Sequence, residues 1–315
     1  MARLETEVAE LFGTPAAVFF LSGVAAQQAA LRVHCERRRS LRVALPDLAH
    51  PLHHETDGPR LLQGFRFEPL TRGWATATAD DLTSVPGAAD LGAVMLELPL
   101  RDAGCLLPTW EELVSVSEAA RGLGVPLHVD GARIWESQPH LDHSLAEIAA
   151  LSDSTYVSFY KGLGAMSGAA VVCDEPMAAE LRAWRQRLGG TTYAMTPYAV
   201  SALVGLHEEL PSMGDCVAWA QAFAAELVER GLRVQPDPPH TNTFLVFADC
   251  PDGASDAITE RVIAFMERER VVPSSPWWPA RAPGLAMTEV TVQRPALAHD
   301  PSTVAGWYAD LVAAR

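Results

Sequence analysis

The feature that most constrains this chain is an alternation. Over its first two thirds, short apolar, β-branched runs alternate with stretches of helical periodicity. The runs Ala17–Leu21, Leu41–Pro46, Gly64–Pro69, Gly92–Leu98, Pro126–Val129, Thr155–Phe159 and Gly168–Val172 are predicted strands. Predicted helices cover Arg3–Phe12, Val24–Glu36, Trp110–Leu123, Leu145–Leu151, Pro176–Leu188 and Pro197–Glu209. Strands that alternate with helices imply an α/β domain with a mainly parallel sheet.

Near Leu210-Pro211-Ser212 the pattern changes. A long helix over Cys216–Gly231 precedes strand-like Arg233–Pro236 and Thr243–Ala248, then a helix over Ala257–Glu269. A Pro/Trp-rich loop (Pro273–Pro283), a strand (Ala286–Gln293) and a C-terminal helix complete the chain. The expected organisation is a large domain over 1–212 and a small C-terminal α+β domain over 213–315, a usual domain size.

With 39 acidic against 24 basic side chains the net charge is −15, which argues against nucleic acid and anionic membrane as partners. Five scattered cysteines without a C-x-x-C pair read as reduced thiols, not as a disulfide framework or a zinc site. The most apolar stretch, Ala16–Leu31, is too short and too polar to span a bilayer. The N-terminus carries no export pattern, so the expected location is the cytoplasm.

Of the 24 lysines and arginines, only Lys161 is a lysine. Arginine supplies positive charge but stays protonated, whereas a lysine amine can condense with a carbonyl. Lys161 opens Lys-Gly-Leu-Gly directly after a predicted strand, where α/β folds place ligand-binding residues. Earlier, Pro126-Leu-His-Val-Asp-Gly-Ala-Arg puts Asp130 at the end of an apolar strand and Arg133 three residues later. A carboxylate there either caps the following turn or faces a cationic partner such as a protonated pyridine nitrogen. Beside the solitary lysine, the cofactor reading is the stronger one.

Ser22-Gly23-Val24 lies between a predicted strand and a helix. That junction is either a simple cap or a phosphate site built on free N–H groups and the helix dipole. His50 follows a strand and precedes a turn, with His53 and His54 close behind. Their spacing is poor for a closed metal site, whereas a histidine face can stack on a flat cofactor and serve in acid–base chemistry.

Together these stretches resemble the low-specificity threonine aldolases of the β-eliminating lyase group, within the fold-type-I enzymes that use pyridoxal 5'-phosphate (PLP). The resemblance runs from Arg3 to the C-terminus and is most specific at Val-Asp130-Gly-Ala-Arg133 and Lys161-Gly-Leu-Gly. It implies that Lys161 forms the Schiff base, Asp130 contacts the pyridine nitrogen, and His50 stacks over the ring. It further implies that Ser22, Gly23 and Val24 surround the phosphate, and that Arg133 serves the bound cofactor and holds the substrate carboxylate. A small amino-acid substrate and a homodimer or homotetramer are implied as well.

The substrate-facing positions depart from the family. Leu100 stands where a hydroxyl-contacting histidine is usual, and Thr288 lies near the position of a second carboxylate-binding arginine, for which Arg294 is a possible substitute. Gly189-Gly190-Thr-Thr-Tyr193 lacks another arginine, Tyr160 replaces a serine, and Val24 replaces a threonine. The family also has a segment ahead of the Arg3-Leu-Glu helix, so either a shifted start or a reduced pocket is expected.

Retro-aldol cleavage of a β-hydroxy-α-amino acid to glycine and an aldehyde is the leading expectation. The alternatives are a PLP enzyme of altered reaction or substrate, either a β-elimination lyase or an aldolase acting on a different β-hydroxy amino acid, since an apolar Leu100 would suit a different side chain, and a PLP-fold protein without turnover. No G-x-S-x-G elbow and no strand-to-helix G-x-G-x-x-G supports a hydrolase or a dinucleotide enzyme.

Overall fold

A computed structural model describes residues 1–251 and 253–313. The chain divides into two compact units, Met1–Pro211 and Ser212–Arg315. The first is built on a seven-stranded sheet: β1 (Ala16–Phe20), β2 (Arg42–Leu45), β3 (Arg66–Pro69), β4 (Ala93–Glu97), β5 (Leu127–Gly131), β6 (Ser154–Ser158) and β7 (Ala169–Cys173). Their spatial order is β1-β7-β6-β5-β4-β2-β3.

The pairs β2/β3, β2/β4, β4/β5 and β5/β6 are parallel. Only β7 runs against its neighbours, antiparallel to both β6 and β1, so β1 points the same way as β6. The C-terminal ends of β1, β2, β4, β5 and β6 therefore share one edge of the sheet. Ligand sites of α/β sheets form at that edge, and here it receives the segments after Phe20, Leu45, Glu97, Gly131 and Ser158.

Strands β1, β4, β5, β6 and β7 are buried along their whole length, which accounts for the unbroken apolar runs of β1 and β7, while His128, Asp130, Ser154 and Ser158 are polar residues buried in β5 and β6. The helix after β1, α2 (Gly23–Arg38), is buried through Ala26, Ala29, Ala30, Leu31 and Val33 and exposes an Arg32–Glu36 pair near its C-terminal end. It packs with Val18, Phe20, Tyr156 and Val171 in one apolar cluster. Beneath the sheet, Ser154 Oγ bonds both His34 and His128 at 2.8 Å, and His128 reaches Gln27 Oε1 at 2.7 Å. Burial pushes these imidazoles down, to about 4 for His34 and about 3 for His128.

Short helices at His50–His53, Gly58–Gln63, Ala79–Thr83 and Ile134–Leu141 were not predicted. The first three are too short to show periodicity, and the fourth contains Pro139, ordinarily a breaker. His50 thus follows β2, as expected, and begins a helical turn.

In the second unit, helices Met213–Glu229, Ser255–Glu269 and Pro301–Ala313 accompany an antiparallel sheet. Its strands are β8 (Arg233–Gln235), β9 (Thr243–Asp249), β10 (Trp278–Pro279) and β11 (Leu285–Thr291), in the order β10-β11-β9-β8. The Pro/Trp-rich stretch is not wholly loop, because Trp278 and Pro279 pair with Met287 and Ala286. β10 is an edge strand, where proline's missing N–H is tolerated. Among the described residues, no helix is long and apolar enough to cross a membrane.

Candidate active site

Asp130, in the last turn of β5, is 2% exposed. Its Oδ1 accepts from the Ala132 N–H at 3.0 Å, and among the described residues no donor reaches Oδ2. The turn-capping and ligand-facing readings are therefore compatible, one oxygen for each. Burial raises the carboxyl above its usual range, opposed by the charges of Lys161 and His50 and by the Ala132 N–H.

Across the ladder Asp130 is in register with Glu97, the last residue of β4. Glu97 accepts from the His50 N–H at 2.8 Å with Oε2 and from the Arg101 N–H at 3.1 Å with Oε1. One buried side chain thus ties together the loops after β2 and β4. Burial, and then the charge of Asp130, drive its carboxyl upward.

Lys161 follows β6 by three residues and is half-buried. Desolvation lowers its ammonium group below the usual range. Asp130 and Glu97 oppose that shift, while Arg133 and Arg101 reinforce it. More of the amine is consequently unprotonated, and so nucleophilic, than in an exposed lysine. Next to it, a Cβ on Gly162 would lie 2.0 Å from Oε1 of Glu136, so only glycine fits against that carboxyl. Glu136 is 1% exposed, its Oε2 has no partner, and burial pushes it up to about 7.

At the end of β1, Ser22 is the N-cap of α2 with extended backbone, and its hydroxyl makes no capping bond. The first N–H groups of α2, from Gly23 and Val24 onward, have no intrahelical partner. Gly23 is required sterically, because a Cβ there would sit 2.2 Å from the buried Tyr156 Oη of β6.

His50 Nδ1 bonds Glu55 Oε1 at 3.3 Å, and Glu55 Oε2 accepts from Gln28 Nε2 at 2.9 Å. Burial alone would lower this imidazole. The bond to Glu55 and the charges of Asp130 and Glu97 outweigh it, so its protonated form is favoured. The neighbouring histidines diverge, His53 Nε2 to Asp47 O at 2.7 Å and His54 Nε2 to Asp102 at 2.8 Å.

The fold thus assembles Lys161, Asp130, Arg133 and His50 into one electrostatically coupled group, and Tyr156 links it to Ser22-Gly23-Val24 through β6. Leu100 does not join it. That side chain is 2% exposed and packs with Leu48 and Ala103. Thr288 is buried in the second unit, where its hydroxyl donates to Ser275 O at 3.2 Å and Pro276 O at 3.1 Å.

Sequence reasoning overlooked Glu97, Glu136 and the His54–Asp102 pair. Glu97 carries the same signal as Asp130, a carboxylate closing an apolar strand. Glu136 and Asp102 carry none, because their partners are distant in sequence.

The family described as beta-eliminating lyase matches residues 1–251. A protein named probable low-specificity L-threonine aldolase 2, from Arabidopsis thaliana, is 31% identical over 271 residues, which span 81% of this chain and 75% of that protein. A crystal structure of a candidate L-allo-threonine aldolase from Listeria monocytogenes is 32% identical with a TM-score of 0.89, covering 98% of this chain and 85% of that one. Leishmania major threonine aldolase shares the fold, with a TM-score of 0.76 at 18% identity over 99% of this chain and 89% of that one. The seven-stranded, mostly parallel sheet is accordingly that of the fold-type-I PLP enzymes. With its fold, its motifs and its relatives in agreement, the chain belongs to the beta-eliminating lyase family and is a PLP-dependent enzyme of threonine aldolase type.

Proposed function

We propose that the protein cleaves β-hydroxy-α-amino acids by a retro-aldol reaction, giving glycine and an aldehyde. The observation that carries the reading is the one lysine of the chain, its amine depressed by burial, electrostatically coupled to a buried aspartate whose Oδ2 lacks a donor. Residues and cofactor fit. Asp130 Oδ2 would accept from a pyridinium nitrogen, and the unbonded N–H groups of Gly23 and Val24 with the Ser22 hydroxyl would hold a phosphate.

When bound, PLP supplies a carbonyl for amines and a conjugated ring that accepts the electron pair of a broken Cα bond. Lys161 Nζ would be the amine that holds this carbonyl. Asp130 would keep the ring nitrogen protonated, and the His50 imidazole would cover the ring face. Arg133 holds the substrate carboxylate and so decides which Cα bond is aligned for cleavage. The same reading carries a homodimer or homotetramer, supported by the resemblance to fold-type-I enzymes and checked by the mass in solution.

The test begins with the protein purified with PLP. A visible absorption band that borohydride fixes covalently to Lys161, and that Lys161→Ala lacks, is expected. Incubation with L-threonine or L-allo-threonine should then yield glycine and acetaldehyde. Ammonia and a keto acid as the products would replace the retro-aldol reading with β-elimination.

A further inference from the structure

Retro-aldol cleavage removes the β-hydroxyl proton as the Cα–Cβ bond breaks, so a base must face the substrate. Most acceptors at this edge of the sheet are committed. Both oxygens of Glu97 hold backbone N–H groups, and those of Glu55 hold Gln28 and His50. His53 is tied to Asp47, and Leu100 faces the core. His50 directs Nδ1 to Glu55, and its ring is already assigned to the cofactor face.

His54 differs from all of these. Its side chain is 36% exposed and its ring lies 5.2 Å from that of His50. Its Nε2 lies 2.8 and 2.9 Å from the two oxygens of Asp102. Carboxylate oxygens accept, so in the neutral imidazole Nε2 carries the hydrogen and Nδ1 the lone pair. Among the described residues nothing bonds Nδ1. Arg101 Nη1 lies 3.5 Å from Asp102 Oδ1, a second charge beside the carboxylate.

We propose that His54, oriented by Asp102, is the base that takes the β-hydroxyl proton, an assignment that rests on the retro-aldol reading. His54 Nδ1 accepts the proton, and the O–H electron pair becomes the second bond of the aldehyde carbonyl. The Cα–Cβ pair stays with Cα, where a returning proton completes glycine. One proton leaves oxygen and one arrives at carbon, so no oxidant or reductant is needed. His54 is catalytic in this scheme, and Asp102 is a positioning residue.

Three measurements on the holoenzyme and its variants test this. Cleavage of L-allo-threonine needs the base. Exchange of the glycine α-hydrogen in D₂O needs the cofactor machinery but no β-hydroxyl base. Nitrogen NMR of the labelled protein reports the His54 tautomer. His54→Asn is expected to lose about 10²- to 10⁴-fold in kcat for cleavage while glycine exchange stays within a few-fold. In Asp102→Asn the amide can donate to Nε2, moving the ring hydrogen to Nδ1, so cleavage should fall with a visible change of tautomer.

Cleavage by His54→Asn at the wild-type rate overturns the assignment while leaving the retro-aldol reading intact. So does a parallel collapse of glycine exchange, or an unchanged tautomer in Asp102→Asn. A wild type that exchanges glycine but cleaves no β-hydroxy amino acid overturns both.

Discussion

Glu136→Gln isolates the burial of one carboxyl. Glu136 is 1% exposed, with an orphan Oε2 and a carboxyl pushed from its ordinary 4.5 up to about 7. Below pH 4.5 the folded and unfolded forms are both protonated, and this group adds no pH dependence. Between 4.5 and 7 the unfolded chain releases the proton while the folded one keeps it, so stability falls as the pH rises. Above 7 the loss is complete and amounts to ~3 kcal/mol, at 1.36 kcal/mol per unit over this interval. A glutamine has no such titration, but its amide N–H meets no acceptor at the orphan position, a pH-independent cost of about 1 kcal/mol. Urea unfolding at pH 5 and pH 8 should therefore find the variant slightly less stable at pH 5 and ~2 kcal/mol more stable at pH 8, with unchanged m. A wild-type-to-variant difference that is equal at the two pH values would refute the reasoning.

Gly23→Ala should lower the melting temperature and weaken PLP retention, because its Cβ meets Tyr156 Oη at 2.2 Å. Removing that hydroxyl with Tyr156→Phe leaves only the ring carbon Cζ within 3.0 Å of the new Cβ, so it should restore part of both, and a double variant no better than Gly23→Ala would place the fault elsewhere. His34 has the opposite pH sign to Glu136. Burial depresses it from 6.5 to about 4, so stability is full above pH 6.5 and lost as the pH falls toward 4. His34→Gln should remove close to one proton from that slope, about 1.4 kcal/mol per pH unit, and an unaltered acid limb would show that His34 is not its source.

Lys161 stood out as the one lysine of the chain, set in a glycine-rich turn just after a strand, and Asp130 as a charged residue closing an apolar strand, where water is excluded and a partner is required. Glu97 carries that same signature at the end of Ala93–Glu97, yet its meaning lies in two N–H groups from separate loops. No sequence periodicity announces such a bond. Leu100 shows a different limit. Matching it to a family position identified the residue that was replaced, but not where the side chain points. Its backbone pairs with Leu106, which turns the side chain into the core with Leu48 and Ala103. His54 and Asp102 lie 48 residues apart and meet only because β2 and β4 are neighbours in the sheet. The strand β10 was concealed by Pro279, which is admissible only because the strand is at an edge.

Asp130→Asn should separate the site's function from the stability of the protein that carries it. In the cofactor-free protein the Asp130 carboxyl is raised by burial, so its ionised form is disfavoured in the folded state. Asparagine keeps an acceptor for the Ala132 N–H and removes the charge, so the variant should melt at or above the wild-type temperature without PLP. With PLP the order should reverse. A ligand at 100 times its Kd stabilises a protein by about 2.7 kcal/mol, and a charge-assisted hydrogen bond such as Asp130 would make contributes about 1.5–3 kcal/mol. Without that bond the variant should gain little from PLP, and thermal melts with and without cofactor would cross. A variant that is destabilised alone yet gains as much as the wild type from PLP would assign Asp130 to the turn and not to the cofactor. Crossing melts would instead mean that the chain tolerates a buried carboxylate in order to bind its cofactor, the trade expected where function and stability compete.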